Sequence, residues 1–306
     1  MNKRKSSRHT GKMTEALFPE TAHHEERLPE EGECRLNVSG VLRILGVSRS
    51  GYRAWKRRLP SSRELRKRKI KERIPEAYND SHQNYGAPQI TECLKKEGEK
   101  ISEKTVGNYM REMGIKAQYI KHYTVTTAGS DFSSELKNIP DEQFNPEKPD
   151  AVWCSDTTYI WTFEGFVYLT SIMDLFSGKI TAWVLSDTPE AKWAVEAVEK
   201  AKAARDVKEP QIMHTDRGKQ YVCHDYMEAT EGMQRSCSKK AYPWDNACIE
   251  SFHALIKREW LNRFRIFNYN HAYRLVFQYI ETFYNTVRIH SHCGYLDCQH
   301  FFRQLF

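Results

Sequence analysis

A chain of 306 residues with 40% hydrophobic and 12% aromatic side chains has enough apolar surface for a sizeable core spread over two or three domains. No run of about eighteen apolar residues occurs and no signal-like segment follows Met1, which argues against a membrane-spanning helix or a secreted product. Eight cysteines without a C-x-x-C pair fit reduced thiols in a cytosol, and a net charge of +7 favours a polyanionic partner.

Residues 1–33 begin basic (Lys3, Arg4, Lys5, Arg8, Lys12), turn acidic (Glu25, Glu26, Glu30, Glu31, Glu33) and offer few apolar anchors, so a disordered, solvated segment is expected. Residues 34–65 read as short helices in a helix-turn-helix outline. Val41, Leu42 and Leu45 lie on the first, Gly46 supplies the turn, and Ser48 is an N-cap ahead of Tyr52 and Trp55. Over residues 51–73 eleven Lys or Arg stand against only Glu64 and Glu72, a run better suited to phosphate contact than to a merely solvated helix face. Residues 66–120 form a compact helical module: a basic helix to Tyr78, a turn around Asn84-Tyr85-Gly86-Ala87-Pro88, and helices over 89–96 and 103–113. Ser102 caps the last helix and Gly114 ends it. Periodicity fades over 121–148, where Ser130, Ser133, Ser134, Pro140 and Pro146 accumulate among charges, as in a linker.

From 149 to 265 the pattern changes. Strands are expected over 151–161, 166–174 and 179–185, with Ser177-Gly178 as a turn. A helix follows over 191–204, a short buried strand over 210–215 and a helix near 224–231, an order typical of an α/β domain. In the closing segment, 266–306, a helix over 268–285 carries Leu275, Val276, Tyr279, Ile280 and Phe283 as its inner stripe, packed against the preceding helix.

Three carboxylates stand out against this background. Asp156 interrupts the first strand on the face of Val152, Cys154 and Ile160, where an unpaired charge is expensive. Asp216 follows the strand through Ile212 and Met213, with Gly218 permitting a turn. Glu250 lies one turn from Asn246, beside a helical stripe of Ile249, Phe252, Leu255, Ile256 and Trp260. Together they look held for a cation: two divalent ions about 3.5–4 Å apart stabilise the attacking and leaving oxygens in phosphoryl transfer, and Mg²⁺ wants hard oxygen ligands. Lys257, seven residues after Glu250, projects from the same helix face and can reach a DNA phosphate. Asp245 and Asn246 can cap the helix, and Asn246 is also a candidate for substrate contact. Asp174, at a strand-to-turn boundary, reads as structural. His290, His292, Cys293, Cys298 and His300 are zinc-type ligands, but their spacing fits no common zinc pattern.

Four sequence words carry a resemblance. They are Val152-Trp-Cys-Ser-Asp-Thr-Thr-Tyr-Ile160, His214-Thr-Asp-Arg-Gly-Lys-Gln-Tyr221, Trp244-Asp-Asn-Ala-Cys-Ile-Glu-Ser-Phe252 and Tyr284-Asn-Thr-Val-Arg-Ile-His290. In this order they resemble the second-frame (OrfB) transposases of the IS-three family of insertion sequences, which carry a DDE core of the retroviral-integrase type. The likeness runs over roughly residues 34–295. It implies an RNase H-like α/β catalytic core, a mixed five-stranded sheet with helices, over 149–265, behind an all-α helix-turn-helix front. Asp156, Asp216 and Glu250 would be the catalytic triad and the ligands of two Mg²⁺ ions, with Mn²⁺ a possible substitute. The implied chemistry is Mg²⁺-dependent DNA cleavage at element ends and joining of the freed 3′-hydroxyls to target DNA. In the helical module the resemblance makes Lys104, Asn108 and Arg111 the exposed candidates for DNA contact, with Val106, Tyr109 and Met110 facing the core. Arg288 becomes a candidate phosphate contact. Element-end and target DNA, a homo-oligomer assembled on DNA, and an upstream-frame product, fused or associated, are the implied partners, in the bacterial cytosol at the nucleoid. Thirty-three residues lie between Asp216 and Glu250, fewer than the family usually places there, which leaves a catalytically inactive DNA-binding or regulatory remnant as the alternative. A plain RNase H-type nuclease is a third reading.

Overall fold

The computed structural model describes residues 38–44, 48–117, 146–205, 211–238 and 246–303; the expectations for residues 1–33, for most of the 121–148 linker and for Asp245 lie outside them. The chain divides into two compact units, residues 1–70 and 71–306. In the first, helices α1 (Val38–Ile44) and α2 (Arg49–Lys56) bury Leu42 and Tyr52 against Val38 and Trp55. Ser48 caps α2 as predicted, accepting from the Gly51 N–H at 3.0 Å, which satisfies one of the donors a helix start leaves open.

Helix α3 (Ser62–Asp80) takes in the boundary expected between residues 65 and 66. The basic run splits chemically along it. Arg63, Arg68 and Lys69 are exposed, whereas Lys71 pairs with Glu112 at 2.8 Å and Arg73 reaches Glu76 at 2.9 Å and Glu97 at 2.7 Å. Lys71 and Arg73 are thus engaged within the helical module.

In the second unit, α4 (Ala87–Lys96) and α5 (Glu103–Glu112) make the expected helix-turn-helix. Ile90 and Leu94 of α4 and Val106 and Met110 of α5 are buried. Tyr109, expected in the core, is half-buried, with Lys71 Nζ 5.9 Å from its ring centre. Ser102 caps α5, and Gly114, at φ +70°, turns the chain so that Ile115 N–H returns to Met110 O at 2.9 Å. This module is tied to the C-terminal part of the same unit. Arg263 donates to His82 O at 2.5 Å and to Asn84 Oδ1, Tyr85 Oη receives Ile289 N–H at 2.9 Å, and Lys96 Nζ reaches Tyr295 O at 2.7 Å.

Strands β1 (Val152–Thr162), β2 (Gly165–Asp174), β3 (Ile180–Ser186), β4 (Ile212–Thr215) and β5 (Gln234–Cys237) form one sheet in the order β3-β2-β1-β4-β5. β1 to β3 form an antiparallel meander, while β4 runs parallel to β1, and β5 to β4. Because side chains alternate along a strand, the sheet has two distinct faces. On one, Trp153, Ile172, Val184 and Met213 pack against Ala194, Ala197, Val198 and Ala201 of α6 (Lys192–Ala204) and against Tyr221 and Tyr226, the latter on α7 (His224–Ala229). The other face, with Cys154 and Asp156, meets α8 (Ala247–Glu259), whose Ile249, Phe252, His253 and Ile256 are buried. Leu255, expected in that stripe, is only half-buried.

The closing helix is continuous but not uniform. α9 (Tyr269–Phe277) passes into a π-helical stretch, Gln278–Tyr284, and all five residues of the predicted inner stripe are buried. A short α10 (Cys298–Arg303) follows. Among the described residues no helix is long and apolar enough to cross a membrane.

Candidate active site

The two aspartates come together through strand register. β1 and β4 are parallel with Ser155 opposite Thr215, so Asp156 and Asp216 are the next positions along adjacent strands, which run about 4.8 Å apart, and they share a face. Asp156 sits where β1 continues beyond β4; Asp216 sits where β4 stops and Gly218 N–H turns back to its Oδ1 at 2.8 Å. Burial first, and then the charge of Asp156, push the Asp216 carboxyl up to about 6. No cationic side chain among the described residues pairs with it.

Glu250 enters from the first turn of α8 and is exposed. Its carboxyl is raised by burial and then by Asp156 and Asp216, so all three carboxylates share one electrostatic field. Among the described residues, however, no three His, Cys, Asp or Glu side chains stand close enough to enclose a single ion. Two aspartates lie side by side and the glutamate stands at their edge. The donor set still fits a hard divalent cation, which needs only one or two carboxylates when waters and phosphates complete its shell. Asp216, half-buried and without a cationic partner among the described residues, is the observation that calls for positive charge.

Other predicted residues fare differently. Lys257 lies over β1: its Nζ donates to Thr158 Oγ1 at 2.7 Å and stands 4.7 Å from the centre of the Tyr159 ring. Burial lowers its proton affinity and the charge of Asp156 opposes that. Lys104, Asn108 and Arg111 are exposed on α5, with Arg111 Nη1 donating to Asn108 Oδ1 at 3.0 Å. Asn246 is corrected on both counts. Its side chain makes no cap hydrogen bond and is buried, with Nδ2 3.5 Å from Ser155 O, so it ties the start of α8 to β1 rather than facing substrate.

Arg288 is also corrected. It is buried and bidentate to Glu259, Nε to Oε2 at 2.9 Å and Nη2 to Oε1 at 2.8 Å, while Tyr279 Oη donates to Oε2 at 2.7 Å. Burial opposes both charges, yet these bonds hold Glu259 below and Arg288 above their ordinary values. The rest of the motif is structural too. Asn285 Oδ1 accepts from Ile180 N–H and its Nδ2 donates to Ile180 O, each at 3.0 Å, and Tyr284 Oη reaches Gly178 O at 3.2 Å. Asp174 is structural as expected: it is fully buried and accepts from Ser177 Oγ at 2.5 Å and from the Asp150, Phe176 and Ser177 N–H groups.

Sequence reasoning missed His253 and Glu259. His253 Nδ1 lies 3.2 Å from Asp156 Oδ2. A polar residue three positions after Glu250, on the same helix face, was the available signal.

The Integrase core domain family matches residues 146–243 and again residues 231–297, and the HTH-like domain family matches residues 64–123. With the sheet order and the paired aspartates, these define the class: an integrase-type DDE polynucleotidyl transferase of RNase H-like fold behind a helix-turn-helix-like region. The chain is 31% identical over 276 residues to the Escherichia coli K12 transposase InsF for insertion sequence IS3A, covering 89% of this chain and 96% of that protein. It is 34% identical over 244 residues to the Lactococcus lactis transposase for insertion sequence element IS904, covering 78% and 95%. It belongs to the IS3 family of insertion-sequence transposases. Among solved structures, the HTLV-2 integrase catalytic core domain in complex with magnesium aligns at TM-score 0.37 with 16% identity over 48% of this chain and 93% of that one. A simian T-cell lymphotropic virus intasome aligns at 0.42 with 13% identity over 72% and 71%. Both likenesses are too distant to bear on the site.

Proposed function

We propose that this chain cleaves DNA at the ends of an insertion sequence and joins the freed 3′-hydroxyls to target DNA, using Asp156, Asp216 and Glu250. The adjacency of Asp156 and Asp216 on parallel strands, with no cationic partner for Asp216 among the described residues, carries this reading. The two aspartates would hold Mg²⁺, with Mn²⁺ a substitute, and Glu250 would complete a two-ion site from the first turn of α8. When bound, such ions supply an activated nucleophile and stabilise the leaving oxygen. The protein's own contribution is placement. Asp156 and Asp216 fix the register of the site through the sheet, and the π-helical and Arg288 contacts hold α8, hence Glu250, over it. Lys257, anchored between Thr158 and Tyr159, stands beside Asp156 as a contact for DNA phosphate.

Lys104, Asn108 and Arg111 on α5 fit a DNA backbone, where phosphate contacts give affinity without sequence readout. Pairing two element ends requires more than one copy on the DNA. An upstream-frame product would be a further partner, supplying end recognition.

A second reading, a DNA-binding regulator without catalysis, is favoured by one observation, the exposed position of Glu250 away from a closed three-carboxylate cluster. A strand-transfer assay on end-containing DNA separates the two. The wild-type chain should join ends in Mg²⁺ or Mn²⁺, and Glu250→Gln and Asp216→Asn should lose at least about a hundredfold, in the range typical for one transition-state-stabilising group. Retained DNA affinity with no joining in either metal would establish the regulator instead.

A further inference from the structure

His253 occupies a position that an apolar side chain could fill. It is 5% exposed, on the face of α8 pressed against the sheet, next to Phe252. A buried imidazole is costly unless both ring nitrogens are bonded, and here both are. Nδ1 is 3.2 Å from Asp156 Oδ2 on β1, and Nε2 is 3.3 Å from Ser171 Oγ on β2. Asp156 and Ser171 are direct cross-strand partners, so one ring spans the pair.

The chemistry of the partners sets the direction of these bonds. An ionised carboxylate only accepts, so Nδ1 is the donor to Asp156; in the neutral ring Nε2 is then the acceptor and the Ser171 hydroxyl donates to it. Ser171 is fully buried, and its hydroxyl therefore fixes the ring. The other oxygen of Asp156, Oδ1, accepts from Thr157 N–H at 2.8 Å. Each carboxylate oxygen is thus held by one donor, and the group cannot rotate about its last bond without breaking a contact.

We infer that His253 is a positioning residue: with Ser171 behind it, it locks the Asp156 carboxylate in the one orientation in which it can share a divalent cation with Asp216. The inference rests on the proposed role of Asp156 as an ion ligand and goes beyond it by assigning what orients that ligand. Outer groups of this kind typically change metal affinity ten- to a hundredfold when removed.

The ring geometry makes the test selective. Asn carries its amide nitrogen at the same distance along the side chain as Nδ1, whereas Gln reaches the place of Nε2. His253→Asn therefore keeps the donor to Asp156, and His253→Gln keeps only the reach to Ser171. Mn²⁺ affinity of the full chain without DNA, measured by titration calorimetry, should be within about threefold of wild type for His253→Asn. It should be weaker by about tenfold or more for His253→Gln and His253→Phe. A role in packing alone predicts the reverse order, since Gln and Phe fill the slot better than Asn. Melting temperatures of the same variants report the packing separately.

Ser171→Ala, which frees the ring without changing α8, should weaken Mn²⁺ severalfold and carries the test if the His253 variants do not fold. If Asp156→Asn loses the ion while His253→Gln, or in its place Ser171→Ala, binds as wild type does, the inference falls and the site reading stands. If wild type and Asp156→Asn bind Mn²⁺ alike, the site reading falls and takes the inference with it.

Discussion

Asp216 is the residue at which electrostatics and function conflict most openly. Its ordinary carboxyl value of 3.8 is pushed to about 6 by burial and by Asp156. The folded chain thus holds that proton more tightly than the unfolded chain does, and ionisation above about pH 6 costs stability that is recovered as the pH falls below the ordinary value. Asp216→Asn should therefore stabilise the metal-free protein by about 3 kcal/mol near neutral pH, with the gain gone by about pH 4, as read by thermal melts in a chelator. Divalent cation should stabilise wild type and not the variant. A melt in which Asp216→Asn is less stable at neutral pH would mean that its carboxylate is compensated after all. Arg288 shows the opposite lesson. From sequence, an arginine in a Tyr-Asn-x-x-Arg word reads equally well as a phosphate contact or an ion-pair partner, and Glu259, 29 positions earlier, carries no local mark of the pairing. Removing one member of a buried pair strands the other, so Arg288→Met should lower stability by about 3–5 kcal/mol in urea unfolding. A variant that melts normally but binds DNA poorly would restore the phosphate reading.

Elements with a clear period were legible. The alternation through Val152, Cys154 and Ile160 placed Asp156 on the covered face of β1, and the stripe in α8 placed Glu250 beside it, because burial on one side leaves a periodic trace. β5 left no such trace: Gln-Arg-Ser-Cys, Gln234–Cys237, has no apolar alternation, and only the resemblance called for a fifth strand. The π-helical stretch, Gln278–Tyr284, was likewise invisible, since an added residue in a turn barely disturbs a helical hydrophobic pattern. That stretch sets a pH limit on the molecule. His290, packed on Tyr284 with its Nε2 3.1 Å from Tyr284 O, is held down to about 4 by burial and then by the Arg288 charge. A depressed histidine contributes stability above its ordinary value of 6.5 that is lost as the pH falls towards about 4. His290→Gln should flatten the acid limb of the stability curve in that window; an unchanged limb would assign the acid sensitivity elsewhere.

At the scale of the molecule, the +7 charge suits the DNA partner proposed for a transposase-family chain but does not say which cations would meet it. The structure sorts them by whether an acid is already in reach, as for Lys71 and Arg73 against the α5 pair of Lys104 and Arg111. Lys104→Ala and Arg111→Ala should each leave stability within about 0.5 kcal/mol. Each should reduce the slope of log affinity for DNA against log salt by about 0.9, measured by fluorescence anisotropy. Slopes equal to wild type would remove α5 from the DNA interface.

The parallel pairing of β1 with β4 carries one more consequence. Between these strands the chain must first lay down β2, β3 and α6, so the long-range pairing of β1 with β4 comes after the local meander of β1 to β3. A nascent polypeptide still leaving the ribosome therefore holds its first aspartate without its second. The proposed ion site thus cannot assemble on a nascent chain that has not yet extended past Asp216 and Glu250.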